Sequence, residues 1–146
     1  MTALIFVDRN VLIYALDEAD RTKQQAAQLW RTALWKTRRG RISFQVLEEF
    51  YVKVTKKWPA AREQARAEVR DLLEWRPIRV DAEVMDRAWD IEDRYRLSFW
   101  DALIVAAAKS LSCRYLLTED MQPNQDLDGV RVVSPFLCDP DSLASD

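Results

Sequence analysis

The chain has 146 residues, 49% apolar and 32% charged, with 22 basic against 24 acidic side chains and a net charge of −2. That length fits one domain with a core of its own, and the balance excludes a disordered chain and a general polyanion binder. There is no histidine and there are only two cysteines, Cys113 and Cys138, so Ser-His-Asp, Cys-His and His-ligated or Cys-ligated zinc chemistry are excluded.

The elements follow in chain order. Ala3 to Val7 is an unbroken apolar run closed by Asp8, the pattern of a strand buried on both faces. Asp20 or Thr22 caps a helix to about Thr37, which Gly40 is expected to end. Arg41 to Phe44 reads as a second strand. A helix then opens at Ser43 to Gln45 and carries Val46, Leu47, Phe50, Tyr51 and Val54. A further helix spans about Ala60 to Trp75, and Ile78 to Val80 reads as a third strand. Asp81 caps the next helix. Ser98 opens a very apolar helix to about Leu111, in which Ala102 to Ala108 is the longest clean apolar run, far short of the ~20 residues that cross a bilayer. Tyr115 to Leu117 and Val130 to Val133 read as two more strands. Residues 1–135 are expected to form the single domain, and residues 136–146, with one proline and three aspartates, a frayed tail. The opening residues lack the form of a signal peptide, which makes the cytoplasm the expected address, with no membrane partner.

Alternation of short apolar strands with helices implies an α/β fold with a parallel sheet and helices on both faces. Ligands of such sheets bind beyond the carboxyl ends of the strands, where Asp8 and Asp120 fall. Only two glycines occur, so no glycine-rich phosphate loop can be built. Four acidic positions stand out: Asp8, the Glu48-Glu49 pair at the start of an apolar helix, Asp101 inside Ser98-Phe99-Trp100-Asp101-Ala102-Leu103-Ile104-Val105, and Asp120 after Leu116-Leu117-Thr118-Glu119. Each also has a plain structural reading. Asp8 and Asp120 suit turns, Asp101 completes a Ser-x-x-Asp cap, and the glutamates favour a helix start. Converging carboxylates repel unless a cation neutralises them, and an oxygen-only set suits Mg2+ or Mn2+.

The chain resembles PIN-domain ribonucleases. Phe6-Val7-Asp8-Arg9-Asn10-Val11 is similar to their opening Asp-Thr-Asn signature. Gln45-Val46-Leu47-Glu48-Glu49-Phe50-Tyr51 resembles their glutamate helix, and Ser98 to Ile104 and Leu116 to Met121 resemble their third and fourth acidic segments. Order and spacing agree from Ala3 to about Pro135, and the wording is most similar to VapC toxins. The resemblance implies a three-layer α/β/α fold with a parallel sheet of about five strands. It implies a Mg2+- or Mn2+-dependent endonuclease acting on RNA, a homodimer, and inhibition by a cognate antitoxin. By position, Asp8, Glu49, Asp101 and Asp120 would hold the metal and serve catalysis, with Asn10 and Thr118 in support. Glu49 is preferred to Glu48 because it directly precedes Phe-Tyr; helical periodicity leaves both open. Glu119 is a further candidate.

Arg9 departs from the family threonine. It could pair with the acids and compete with a metal, bind a substrate phosphate, or point away. The departure motivates an alternative: a PIN-like module that binds RNA or a protein partner without cleaving. A phosphoryl-transfer protein ranks lower, because the first strand lacks Asp-x-Asp. Basic groups at Lys36-Arg38-Arg39-Arg41, Lys53-Lys56-Lys57 and Arg62-Arg66-Arg70 read as solvated faces able to meet phosphates. Trp30, Trp89 and Trp100 are expected in the core, and Trp35, Trp58 and Trp75 on a partner surface.

Overall fold

The first strand forms where four apolar side chains follow one another. This strand, β1 (Leu4–Val7), pairs in parallel with β2 (Gly40–Arg41) on one side and β3 (Cys113–Leu117) on the other. Ile5, Phe6 and Val7 are buried, as a strand covered on both faces requires. β3 pairs in parallel with β5 (Val130–Val133), and β4 (Asp126–Leu127) adds an antiparallel edge, giving the order β2-β1-β3-β5-β4. The computed structural model describes residues 2–143.

The helices are α1 (Arg9–Tyr14), α2 (Arg21–Thr37), α3 (Phe44–Lys57), α4 (Arg62–Leu72), α5 (Ala82–Tyr95) and α6 (Phe99–Ser110). Four of them start as the sequence dictates. Asp20, Ser43, Asp81 and Ser98 each accept a hydrogen bond from the backbone N–H three residues on, filling a donor that the helix leaves open. α1 packs with both α2 and α3, and α3 packs with α4. α5 lies along α6, which rests on β3 and β5. The result is a three-layer α/β/α domain. Residues Ala102 to Ala108 of α6 are all buried, as expected for a helix that is apolar all round. No described helix is long and apolar enough to cross a membrane.

Several expectations are corrected. Gly40 does not end α2: Arg38 takes the left-handed cap with φ 59°, and Gly40 sits in β2. A Cβ there would lie 2.5 Å from the buried ring of Trp75, so the position is small because the indole presses against it. Trp75 is therefore core and offers no surface. Trp89 and Trp100 are exposed, while Trp30 is buried as expected. The strand expected at Ile78 to Val80 reduces to a single parallel bridge between Ser43 and Ile78. Arg39 is buried, donating to the carbonyls of Ala3 and Leu143, and is lost to any phosphate surface. The tail is tied down as far as the structure describes it. Trp30 Nε1 donates to the carbonyls of Pro135 and Cys138, Phe136 meets Tyr14 edge-on at 5.2 Å, and a 3-10 turn spans Pro140–Leu143. Residues 144–146 lie outside the described part. Both cysteines are free, and burial pushes the Cys113 thiol up to about 12.

The β4–β5 turn is held to the helices by Asp128, which lies 3.1 Å from Arg94 Nη1 and 3.1 Å from Lys109 Nζ. The bond from Lys109, with that from Arg94, holds the Asp128 carboxyl below its ordinary value of 3.8. A folded value below the unfolded one gives stability that is full above the unfolded value and lost as pH falls through the folded one. Asp128 has φ 56°, which asparagine also tolerates. Asp128→Asn is expected to lower the Tm at neutral pH by about 2–4 °C, the size of one partly exposed ion-pair group. Melting curves across pH check it: the gap from wild type closes by about pH 2. A gap that stayed constant would rule out the charge as its source.

Candidate active site

The parallel ladders continue one residue past the strands. Asp8 N–H donates to the carbonyl of Leu117 (3.1 Å), and Thr118 N–H donates to that of Val133 (3.0 Å). Asp8 and Thr118 are thereby neighbours at the carboxyl end of the sheet. Asp8 leaves β1 in extended conformation and caps α1, its Oδ1 accepting from Arg9 N–H at 2.7 Å. Thr118 Oγ1 donates to Asp8 Oδ2 at 2.9 Å and accepts from Asp120 N–H at 3.1 Å. Asn10 Nδ2 donates to Thr118 Oγ1 (3.0 Å) and Asp120 Oδ2 (3.1 Å), and lies 3.5 Å from Asp8 Oδ2. Its Oδ1 accepts from Glu119 N–H at 3.2 Å. The amide and the hydroxyl thus fix two carboxylates and the backbone that carries one of them. Thr118 is fully buried and Asp8 is 2% exposed, so the Asp8–Thr118 end of the network is shielded from water, while Asp120 at its other end is open to solvent.

Glu49 approaches from α3. Arg9, whose direction the sequence left open, turns inward among the acids. Its guanidinium lies 3.8 Å from Asp8 Oδ1, 3.6 Å from Glu49 Oε2 and 3.9 Å from Asp120 Oδ2. Burial pushes the Asp8 carboxyl up; the Arg9 backbone N–H, the Thr118 hydroxyl and the Arg9 charge oppose that rise in part. Burial likewise pushes Glu49 up, against the Arg9 charge. Glu49 Oε1 and the amide of Gln45 one helical turn earlier are buried and make no hydrogen bond of good geometry, although the amide lies near enough to the Glu49 carboxyl to oppose its rise slightly.

The other predicted residues fall elsewhere. Glu48 is exposed and lines an apolar groove with Phe44, Tyr51 and Arg66, away from Asp8. Glu119 pairs with Lys23 and accepts from the Tyr14 hydroxyl at 2.8 Å. Asp101 lies in the first turn of α6. That helix is about as long as β3 and joins it through a two-residue turn, so its N-terminus lies at the carboxyl end of the sheet. Among the described residues, the Asp101 side chain has no hydrogen bond or ion pair. The structure therefore brings Asp8, Glu49 and Asp120 together around Arg9, with Asn10 and Thr118 bracing them, and sets Asp101 at the same end of the sheet.

A groove of about 710 Å³ opens beside this cluster, bordered by Arg9, Asn10, Asp120 and the lysines Lys53, Lys56 and Lys57. Lys57 is 3.1 Å from Asp17. Gln45 was not among the expected site residues. The signal was its spacing: Gln45, Glu49 and Lys53 stand four residues apart, one line on the face of α3 that meets Arg9.

The donor chemistry fits a hard divalent ion, because every candidate ligand is a carboxylate oxygen and Glu49 Oε1 is buried without a hydrogen bond of good geometry. The arrangement leaves the ion little room. Among the described residues no three carboxylates stand close enough to share one ion, and the guanidinium lies among Asp8, Glu49 and Asp120.

The sequence profile of the PIN domain matches residues 5–125. The fold is similar to a toxin–antitoxin complex from Klebsiella pneumoniae, at 24% identity and TM-score 0.60 over 91% of this chain and 98% of that one. It is similar to DNA-bound VapBC from Salmonella typhimurium, at 18% identity and TM-score 0.65 over 92% and 99% of the two chains. A sarcin–ricin-loop-cleaving VapC toxin from Mycobacterium tuberculosis follows at 19% identity and TM-score 0.57, over 77% of this chain and 86% of that one. No curated protein matches the chain in sequence.

Proposed function

The chain belongs to the PIN domain family, and from that premise we propose that it is a cytoplasmic endoribonuclease toxin of the VapC type. It hydrolyses RNA phosphodiester bonds with Mg2+ or Mn2+, acts as a homodimer and is neutralised by a cognate antitoxin protein. The observation that carries this reading is the convergence of Asp8, Glu49 and Asp120 at the carboxyl end of the sheet, braced by Asn10 and Thr118. The two complexes among the similar folds, one a toxin–antitoxin pair and one a VapBC, support the antitoxin as partner.

Asp8, Glu49, Asp101 and Asp120 would hold the ion. When bound, it supplies a nucleophilic water at neutral pH and offsets charge developing on the phosphate. The rest is the work of the chain. The Thr118 hydroxyl keeps Asp8 Oδ2 turned to the site, and Asn10 keeps Asp120 beside it. Lys53 and Lys56 border the groove where they can neutralise phosphates of a bound strand, giving a molecule of net charge −2 a local basic track next to its acids.

Arg9 among the acids favours a second reading, a module that binds RNA or a protein without cleaving. One experiment separates the two: incubation of mixed cellular RNA with the purified protein in Mn2+ or Mg2+, in EDTA, and with Asp101→Asn protein purified identically. The nuclease cleaves with metal, stops in EDTA, and loses at least about a hundredfold of its rate in the variant. Equal cleavage by both proteins removes the acidic site from the reading. RNA binding without cleavage establishes the second reading.

A further inference from the structure

Resting on that nuclease reading, we propose that Arg9 is a built-in occupant of the ion's position, and that a divalent ion binds only by exchange as the guanidinium moves out into the groove. Three carboxylates face Arg9 at 3.6–3.9 Å. These are longer than the ~2.7–2.9 Å of a charge-assisted hydrogen bond, so the arginine neutralises the acids without locking any of them. A divalent ion concentrates twice the charge at ~2.0–2.1 Å from its oxygens and is the stronger partner where it can enter, provided the carboxylates, which do not now stand close enough to share it, draw inward as the guanidinium leaves. Arg9 has somewhere to go: its side chain is 23% exposed and already borders the groove. Glu49 Oε1, buried without a hydrogen bond of good geometry, is an oxygen that the guanidinium leaves unserved.

The same geometry argues against Arg9 as a phosphate clamp. Three acids surround one guanidinium, and their excess negative charge repels a phosphate brought to it. The exchange has a double consequence. Without metal, Arg9 stabilises the fold by relieving repulsion among the acids. With metal, the same contacts are a cost that lowers affinity.

The test is Mn2+ binding without RNA, by titration calorimetry and by thermal melting in EDTA and in Mn2+. It uses wild type, Arg9→Thr and, as a substitution closer in size, Arg9→Gln. Both variants are expected to bind Mn2+ about tenfold or more tightly than wild type. They are expected to melt below wild type in EDTA and to gain more from saturating Mn2+. Equal affinity in all three proteins overturns the exchange and leaves the carboxylate site standing. Weaker binding by the variants also overturns it and makes Arg9 a support of the ion. No binding by any of the three overturns the exchange and the metal site together.

Discussion

Asp8→Asn is expected to lower RNA cleavage by roughly three orders of magnitude with the fold intact, the upper range for deleting one preorganised charged group from an active site. Asp8 is the best-fixed acid of the cluster. It is 2% exposed, caps α1 and takes the Thr118 hydroxyl at 2.9 Å. Asparagine keeps its size and can still accept from Arg9 N–H, so the turn from β1 into α1 survives. What is lost is the charge, and with it one oxygen ligand and one partner of Arg9. Steady-state cleavage and circular dichroism melting, measured on one preparation, check both halves. Undiminished cleavage by a folded variant would place the chemistry elsewhere. A collapsed melting curve would show Asp8 to be needed for folding first.

Trp30→Ala is expected to have the largest effect on stability. Trp30 lies on α2 at 1% exposure, and its Nε1 donates to the carbonyls of Pro135 (3.2 Å) and Cys138 (3.1 Å). Removing a buried tryptophan costs about 3–5 kcal/mol, which lowers the Tm by roughly 10 °C in a domain of this size. Trp30→Phe keeps most of the packing and loses the two hydrogen bonds, so it should cost about 1–2 kcal/mol. Limited proteolysis gives the local readout: in the alanine variant, cutting after Ser134 precedes cutting in the core. If the alanine variant melts like wild type, the indole does not hold this segment.

The first strand and the starts of the main helices were legible because they are decided locally. An apolar run stopped by Asp8 needs no distant residue to be read as a strand, and Ser98 with Asp101 three residues on announces a helix start. The parallel sheet followed from alternation alone. Features decided by distant partners were not legible. Glu48 and Glu49 flank the same apolar stripe, and only the arrival of β1 with Arg9 beside α3 distinguishes them. Trp89 on α5 and Trp100 in the first turn of α6 fall on apolar faces in the sequence pattern, yet both are exposed, because which part of a face is covered depends on where the neighbouring helix lies. α1, six residues long, is too short for periodicity to register. Arg9 offered three directions in sequence, and the one taken places it among three acids drawn from the cap of α1, from α3 and from the loop after β3.

The sheet ends in β2 and β4, each two residues long. On the β2 side, the Arg41 Nη1 group donates to the carbonyls of Arg38 and Gly40. A neighbouring chain that tried to add a strand would find only a short row of free backbone groups at either border, one of them already engaged by an arginine. The protein is thus guarded against polymerising through its backbone, even when it is crowded. A partner chain would therefore have to dock on side chains, where a single substitution could alter the contact without disturbing the sheet.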